Sequence, residues 1–128
     1  MSDPDLNVYE LVGGMPFFES LVDRFYEGVA HDPVLLALYP EPEDLAKARH
    51  RLTLFLAQYW GGPPTYSRER GHPRLRMRHV PFAIGPVERD RWLLHMRAAV
   101  AAMAPTQGVA DALERYFAFA AESMRNRD

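Results

Sequence analysis

An all-α fold is predicted by three observations on this 128-residue chain. Apolar residues recur at helical spacing along most of its length. Extended period-2 alternation is absent. Glycine and proline pairs punctuate the periodic segments where helices must stop. The length fits one domain over residues 1–128. A hydrophobic content of 48% is enough for a core and argues against disorder.

The elements follow in order. Asn7 caps a short helix to Val12, which Gly13-Gly14 ends. A second helix opens near Pro16. Its stripe is Phe17, Leu21, Phe25 and Val29, with Phe18, Val22 and Tyr26 one position on. Asp32-Pro33 starts a short helical turn reaching Leu38, and Pro40 and Pro42 prevent continuation. A long helix is predicted from Asp44 to Trp60, with Leu45, Ala48, Leu52, Phe55, Leu56 and Tyr59 inward. Gly61-Gly62 and Pro63-Pro64 end it. Thr65 to Pro73 is rich in turn formers and charge and reads as a loop, and Leu75 to Val80 as a short helix. A non-helical stretch then runs to Gly85. Pro86 opens a helix carrying Trp92, Leu93, Met96, Val100 and Met103 inward. After Pro105, a last helix from Gln107 to Arg125 turns Leu113, Phe117, Ala120 and Met124 inward.

Several function classes are set aside by composition. A net charge of -2 gives no basic field for nucleic acid. Positive charge is almost all arginine, with fourteen Arg against the single Lys47. Without cysteine, disulfides, thiolate metal sites and cysteine nucleophiles drop out. That is compatible with the cytoplasm, the expected location. The start, Met1 to Asp5, is acidic and lacks the apolar centre of a secretory signal. No apolar run approaches the roughly 20 residues of a membrane span. P-loop, Rossmann and nucleophile-elbow motifs are missing, and the acidic residues scatter along helix faces.

The histidines carry the remaining chemistry. No two are spaced four apart on one helix, so a multi-histidine metal site is not predicted and single-ligand chemistry remains. His31, His50 and His95 lie off the apolar stripes and read as surface or capping residues, and His72 as an aid to loop order. His79 ends a short helix flanked by Arg74, Arg76 and Arg78, with Leu75 and Met77 as apolar companions. Spacing leaves it open between a metal ligand and a packed histidine. As a ligand it would present one nitrogen to the metal, while the other donates to a carbonyl one turn earlier, near Leu75. Tyr26, Tyr39 and Trp92 read equally as core residues or as hydrogen-bond donors to a ligand. The arginines around His79, with Arg51 and Tyr66, read as a solvated face or as partners for acidic groups of a cofactor.

These residues also form a recognisable pattern. Val12-Gly13-Gly14, Arg24-Phe25-Tyr26 and Leu38-Tyr39-Pro40 carry it first. Phe55 to Pro63, ending Tyr-Trp-Gly-Gly-Pro, and Tyr66-Ser67 follow. Arg70 to His79, Pro81-Phe82 and Glu88 to Leu93 complete it. Across nearly its whole length the chain resembles the truncated haemoglobins of group II. The resemblance implies a two-over-two helical sandwich around haem b with His79 as proximal iron ligand. It implies Tyr26, Tyr39 and Trp92 as distal groups stabilising a bound ligand. Ala48 falls where many globins place a distal histidine or glutamine, and Leu52, Phe55 and Phe25 would wall the distal pocket. Arg51, Tyr66, Met77, Arg78, Phe82, Ile84 and Met96 would contact haem. Tyr39 departs from the phenylalanine many globins carry there.

The implied function is binding of O2, NO, CO or sulfide with slow release. That suits NO or O2 redox chemistry or a peroxidase-like reaction fed by an external reductase. Oxygen storage or transport and ligand sensing are the alternatives within the haem reading, and association into homo-oligomers stays open. A helical module binding peptide or lipid in an apolar groove is the rival without haem.

Overall fold

The computed structural model describes residues 7–128, so the acidic start lies outside the described residues. These contain eight helices and no strand. Helix α1 spans Val8–Leu11, and the Asn7 side chain accepts from Glu10 N at 2.9 Å as its cap. Helix α2, Met15–Ala30, carries the predicted stripe, with Phe18, Leu21, Val22, Phe25 and Val29 without exposed surface. Helix α3, Pro33–Leu36, is capped by Asp32 and is shorter than predicted. Two backbone bonds, Leu38 N to Leu35 O and Tyr39 N to Leu36 O, prolong its turning.

Helix α4 is Ala46–Tyr59. It starts later than expected because Asp44 Oδ1 accepts from Ala46 N at 3.0 Å and acts as a turn residue. Tyr59, predicted inward, is 52% exposed. The glycine pair after α4 does more than stop it. Gly61 has φ +107, and a Cβ there would meet the Asn7 side chain at 2.3 Å. A Cβ on Gly62 would lie 2.6 Å from the Tyr9 ring. Asn7 Nδ2 donates to Gly61 O and Tyr9 N to Trp60 O, so α1 is laid directly on this bare backbone.

The segment read as a loop after Pro64 forms helix α5, Thr65–Arg70. The reading missed it because α5 offers one buried apolar residue, Tyr66, and so no periodic stripe. Gly71, with φ +79, stops it. Helix α6 is Leu75–His79, α7 is Pro86–Met103 and α8 is Gln107–Met124.

Helix α2 packs on both α4 and α7, and α7 packs on α8. The pairs α2 with α4 and α7 with α8 make the two-over-two sandwich. Helices α4 and α8 meet at Tyr59 and Tyr116, whose ring centroids are 4.1 Å apart. Elsewhere they are held apart by a cavity. Among the described residues, no helix is long and apolar enough to cross a membrane.

Candidate functional site

The cavity has a volume of about 540 Å³ and is lined mainly by apolar side chains. That size suits a cofactor or small ligand. Ala48, Leu52, Phe55 and Leu56 of α4 form one wall, and Phe117, Ala120, Ala121 and Met124 of α8 another. Tyr66 is buried on α5 and sets its ring edge-on to Phe55 at 5.6 Å. Phe82 and Ile84 line the cavity after α6.

His79 reaches the cavity from the last residue of α6. Its Nδ1 lies 2.6 Å from Leu75 O, the carbonyl one turn earlier, as a ligating histidine requires. A carbonyl can only accept, so Nδ1 carries the proton and Nε2 keeps its lone pair. Three features place this short helix. Arg78 donates to the carbonyls of Arg70, His72 and Pro73 and so closes the turn before α6. Arg74, at φ +42, is the one non-glycine with positive φ among the described residues. Its N donates to His72 Nδ1 at 3.1 Å, so His72 does order this turn. Behind His79, Asn126 Nδ2 donates to His79 O and Phe82 O, and Asn126 Oδ1 accepts from Ile84 N.

Tyr26, Tyr39 and Trp92 line the same cavity from α2, the α3–α4 turn and α7. The two tyrosine hydroxyls are 3.3 Å apart, with Tyr39 donating to Tyr26. Two hydroxyls carry two protons and their mutual bond uses one, so one donor is left; it sits on Tyr26 in this arrangement and on Tyr39 when both hydroxyls rotate and the bond reverses. Burial pushes the Tyr26 phenol well above its ordinary pKa, the neighbouring Tyr39 adds to this, and Arg49 opposes it. Burial raises Tyr39 too, against the bond to Tyr26. Both therefore stay protonated at neutral pH. Phe25 lies behind them, its ring centroid 4.9 Å from Tyr26 and 5.1 Å from Trp92.

Arginines stand among the lining residues. Arg51 is exposed, and Arg70 has a buried Nε without a partner. Arg78 also lines the cavity, but its guanidinium is engaged by backbone carbonyls. An apolar cavity with one imidazole lone pair, a spare phenol proton and an orphaned guanidinium NH fits a large apolar cofactor that carries acidic groups and an open metal.

The bacterial-like globin family model matches residues 7–126. The chain belongs to the bacterial-like globin family. Among its relatives, the group 2 truncated hemoglobin YjbI of Bacillus subtilis is 45% identical over 92 residues, covering 72% of this chain and 67% of that one. A thermostable hemoglobin from the actinobacterium Thermobifida fusca is 59% identical, with a TM-score of 0.91 over 94% of this chain and 98% of that one. The group II truncated hemoglobin from Bacillus anthracis is 35% identical, with a TM-score of 0.90 over 96% and 99%. Membership implies haem and the binding of small gaseous ligands.

Not every residue expected at the globin site reaches the cavity. Of the expected residues, Phe25, Met77 and Met96 are not in its lining. Met77 is 57% exposed, because α6 turns it away from His79, and Met96 is fully buried in the core. His50 is exposed as expected, bonded to Glu69 at 3.0 Å, and His31 caps Glu27 O. His95 corrects the surface reading: its Nε2 lies 2.7 Å from the buried carboxylate of Asp32. The sequence reading also missed Asn126 as a clip and Tyr116 as a lining residue. Both act over long sequence separations, where helical periodicity gives no signal.

Proposed function

We propose that this globin holds haem b through Nε2 of His79 and binds O2 and other diatomics that leave slowly. The observation that carries this reading is the Leu75 O to His79 Nδ1 bond, which leaves a lone pair in a cavity shared with Tyr26, Tyr39 and Trp92. Bound haem would supply an iron that coordinates the diatomic ligand and exchanges electrons with it.

The chain's own residues do the rest. The Leu75 carbonyl fixes the tautomer and makes the free nitrogen more basic. The Tyr26–Tyr39 pair offers its spare proton, and the Trp92 indole a second donor, to a ligand with partial negative charge. Each such bond is worth about 1–2 kcal/mol, so two together slow release by orders of magnitude. Ala48 is small and leaves room for the ligand, while Leu52 and Phe55 keep water out. Phe82, Ile84 and Tyr66 pack the cofactor, and Arg51 and Arg70 pair with its carboxylates. Arg78 acts by shaping the turn before α6, and Phe25 by backing the distal donors.

Slow release suits redox chemistry on O2, NO or a peroxide, with electrons from a separate reductase, better than oxygen transport. The first test is spectral. Purified protein shows a Soret band, and His79→Ala loses the haem. Normal haem content in that variant refutes the ligand assignment. Tyr39→Phe and Trp92→Leu each speed O2 release about tenfold or more. Unchanged rates remove the distal assignment.

A further inference from the structure

Asp32 is a buried anion outside the cavity lining, at 1% exposure. Four groups converge on its carboxylate. His95 Nε2 lies at 2.7 Å and Arg91 Nε at 3.0 Å, both from α7. Val34 N and Leu35 N donate from the first turn of α3, at 3.0 and 3.5 Å. Capping α3 does not demand a charge, since asparagine caps as well. A buried carboxylate is expensive unless it is paired, so the pairing with α7 is what the charge serves. Gly28 of α2 makes the space: a Cβ there would stand 2.3 Å from His95 Nδ1.

Of the elements joined by this carboxylate, α7 carries a distal donor and α3 leads directly into one. On α3, Leu35 lines the cavity, and two backbone bonds continue the turn to Tyr39. On α7, Arg91 precedes Trp92 and His95 follows it by three residues, which places His95 beside Trp92 on the helix surface. A single carboxylate therefore fixes where the Tyr39 segment sits relative to the turn of α7 that bears Trp92.

We infer that Asp32 is a positioning residue for ligand binding, acting through Tyr39 and Trp92 to hold the distal donors in register. This rests on the reading of those two residues as ligand donors. Its test uses the haem-loaded full-length protein with Asp32→Asn, which keeps the α3 cap, and Arg91→Gln, a milder change at a side chain 44% exposed. Asp32→Asn speeds O2 release by roughly threefold to tenfold, the range of a hydrogen bond weakened by misplacement. It also shifts or broadens the C–O stretching band of the CO complex. Arg91→Gln moves both in the same direction by less, and carries the test if Asp32→Asn does not fold. In a Tyr39→Phe, Trp92→Leu background the Asp32→Asn effect disappears, because its targets are gone. A lower melting temperature with unchanged O2 release and unchanged C–O stretch overturns the inference while the donor reading stands. Undiminished acceleration in the doubly substituted background overturns it as well. Unchanged release on Tyr39→Phe and Trp92→Leu alone refutes the donor reading itself, and the inference falls with it.

Discussion

The Asp32 carboxylate makes stability depend on acid in a defined way. Burial alone would raise its pKa. Bonds from His95, Arg91 and Leu35 N outweigh that and bring it from 3.8 down to about 2. At roughly 1.36 kcal/mol per pH unit, the drop corresponds to about 2.5 kcal/mol of preference for the charged form in the folded protein. Because the folded value is the lower one, this contribution is complete above about pH 4–5 and is lost as pH falls through 3.8 toward 2. Asp32 itself is 1% exposed, but the Arg91 side chain is 44% exposed and partly screened by water, so about 2.5 kcal/mol is the upper bound and about 2 kcal/mol is expected. Urea unfolding of wild type and Asp32→Asn, followed by far-UV ellipticity, measures the difference. At pH 7 the variant unfolds about 2 kcal/mol more easily, and the gap closes as pH approaches 2. A gap of the same size at pH 7 and pH 2 would mean that the loss comes from packing or capping. No gap at either pH would mean that His95 and Arg91 do not stabilise the charge.

Three further outcomes follow from the geometry. Phe18 is fully buried, stacked on Tyr9 at 5.9 Å and edge-on to Phe17 at 5.3 Å. Phe18→Ala lowers unfolding free energy by about 3–5 kcal/mol in the same assay, and a loss below 1 kcal/mol would contradict the packing. Gly28→Ala places a Cβ 2.3 Å from His95 Nδ1. It pushes the ring off Asp32 and destabilises by about 1–3 kcal/mol, and that loss shrinks in an Asp32→Asn background where the bond is no longer to a charged group. Asn126→Ala removes three hydrogen bonds to the segment behind His79. It speeds transfer of haem to an acceptor protein several-fold while leaving the helical content unchanged, and an unaltered transfer rate would show that the clip does not position α6.

What the sequence conveys about this globin depends on the range over which each residue acts. The α2 stripe was legible because burial on one helix face repeats locally, and the structure buries every residue of it. The His79–Leu75 bond was legible for the same reason, since it spans one helical turn. Helix α5 was not, because six residues with one buried tyrosine leave no period to detect. The placing of the site was not legible either. Asp32 to His95 spans 63 positions and Asn126 to Phe82 spans 44. Neither pair has a spacing rule, because each joins elements that meet only after the helices have packed. Yet these bonds decide where short segments sit. Helix α3 has four residues and α6 five, too few to hold a position by their own apolar faces. Polar anchors from α7 and the C-terminal residues take over that task. A globin shortened this far thus relies on directional bonds where longer helices would rely on packing, and the residues that tune the site are to be sought among those anchors as much as in the cavity wall.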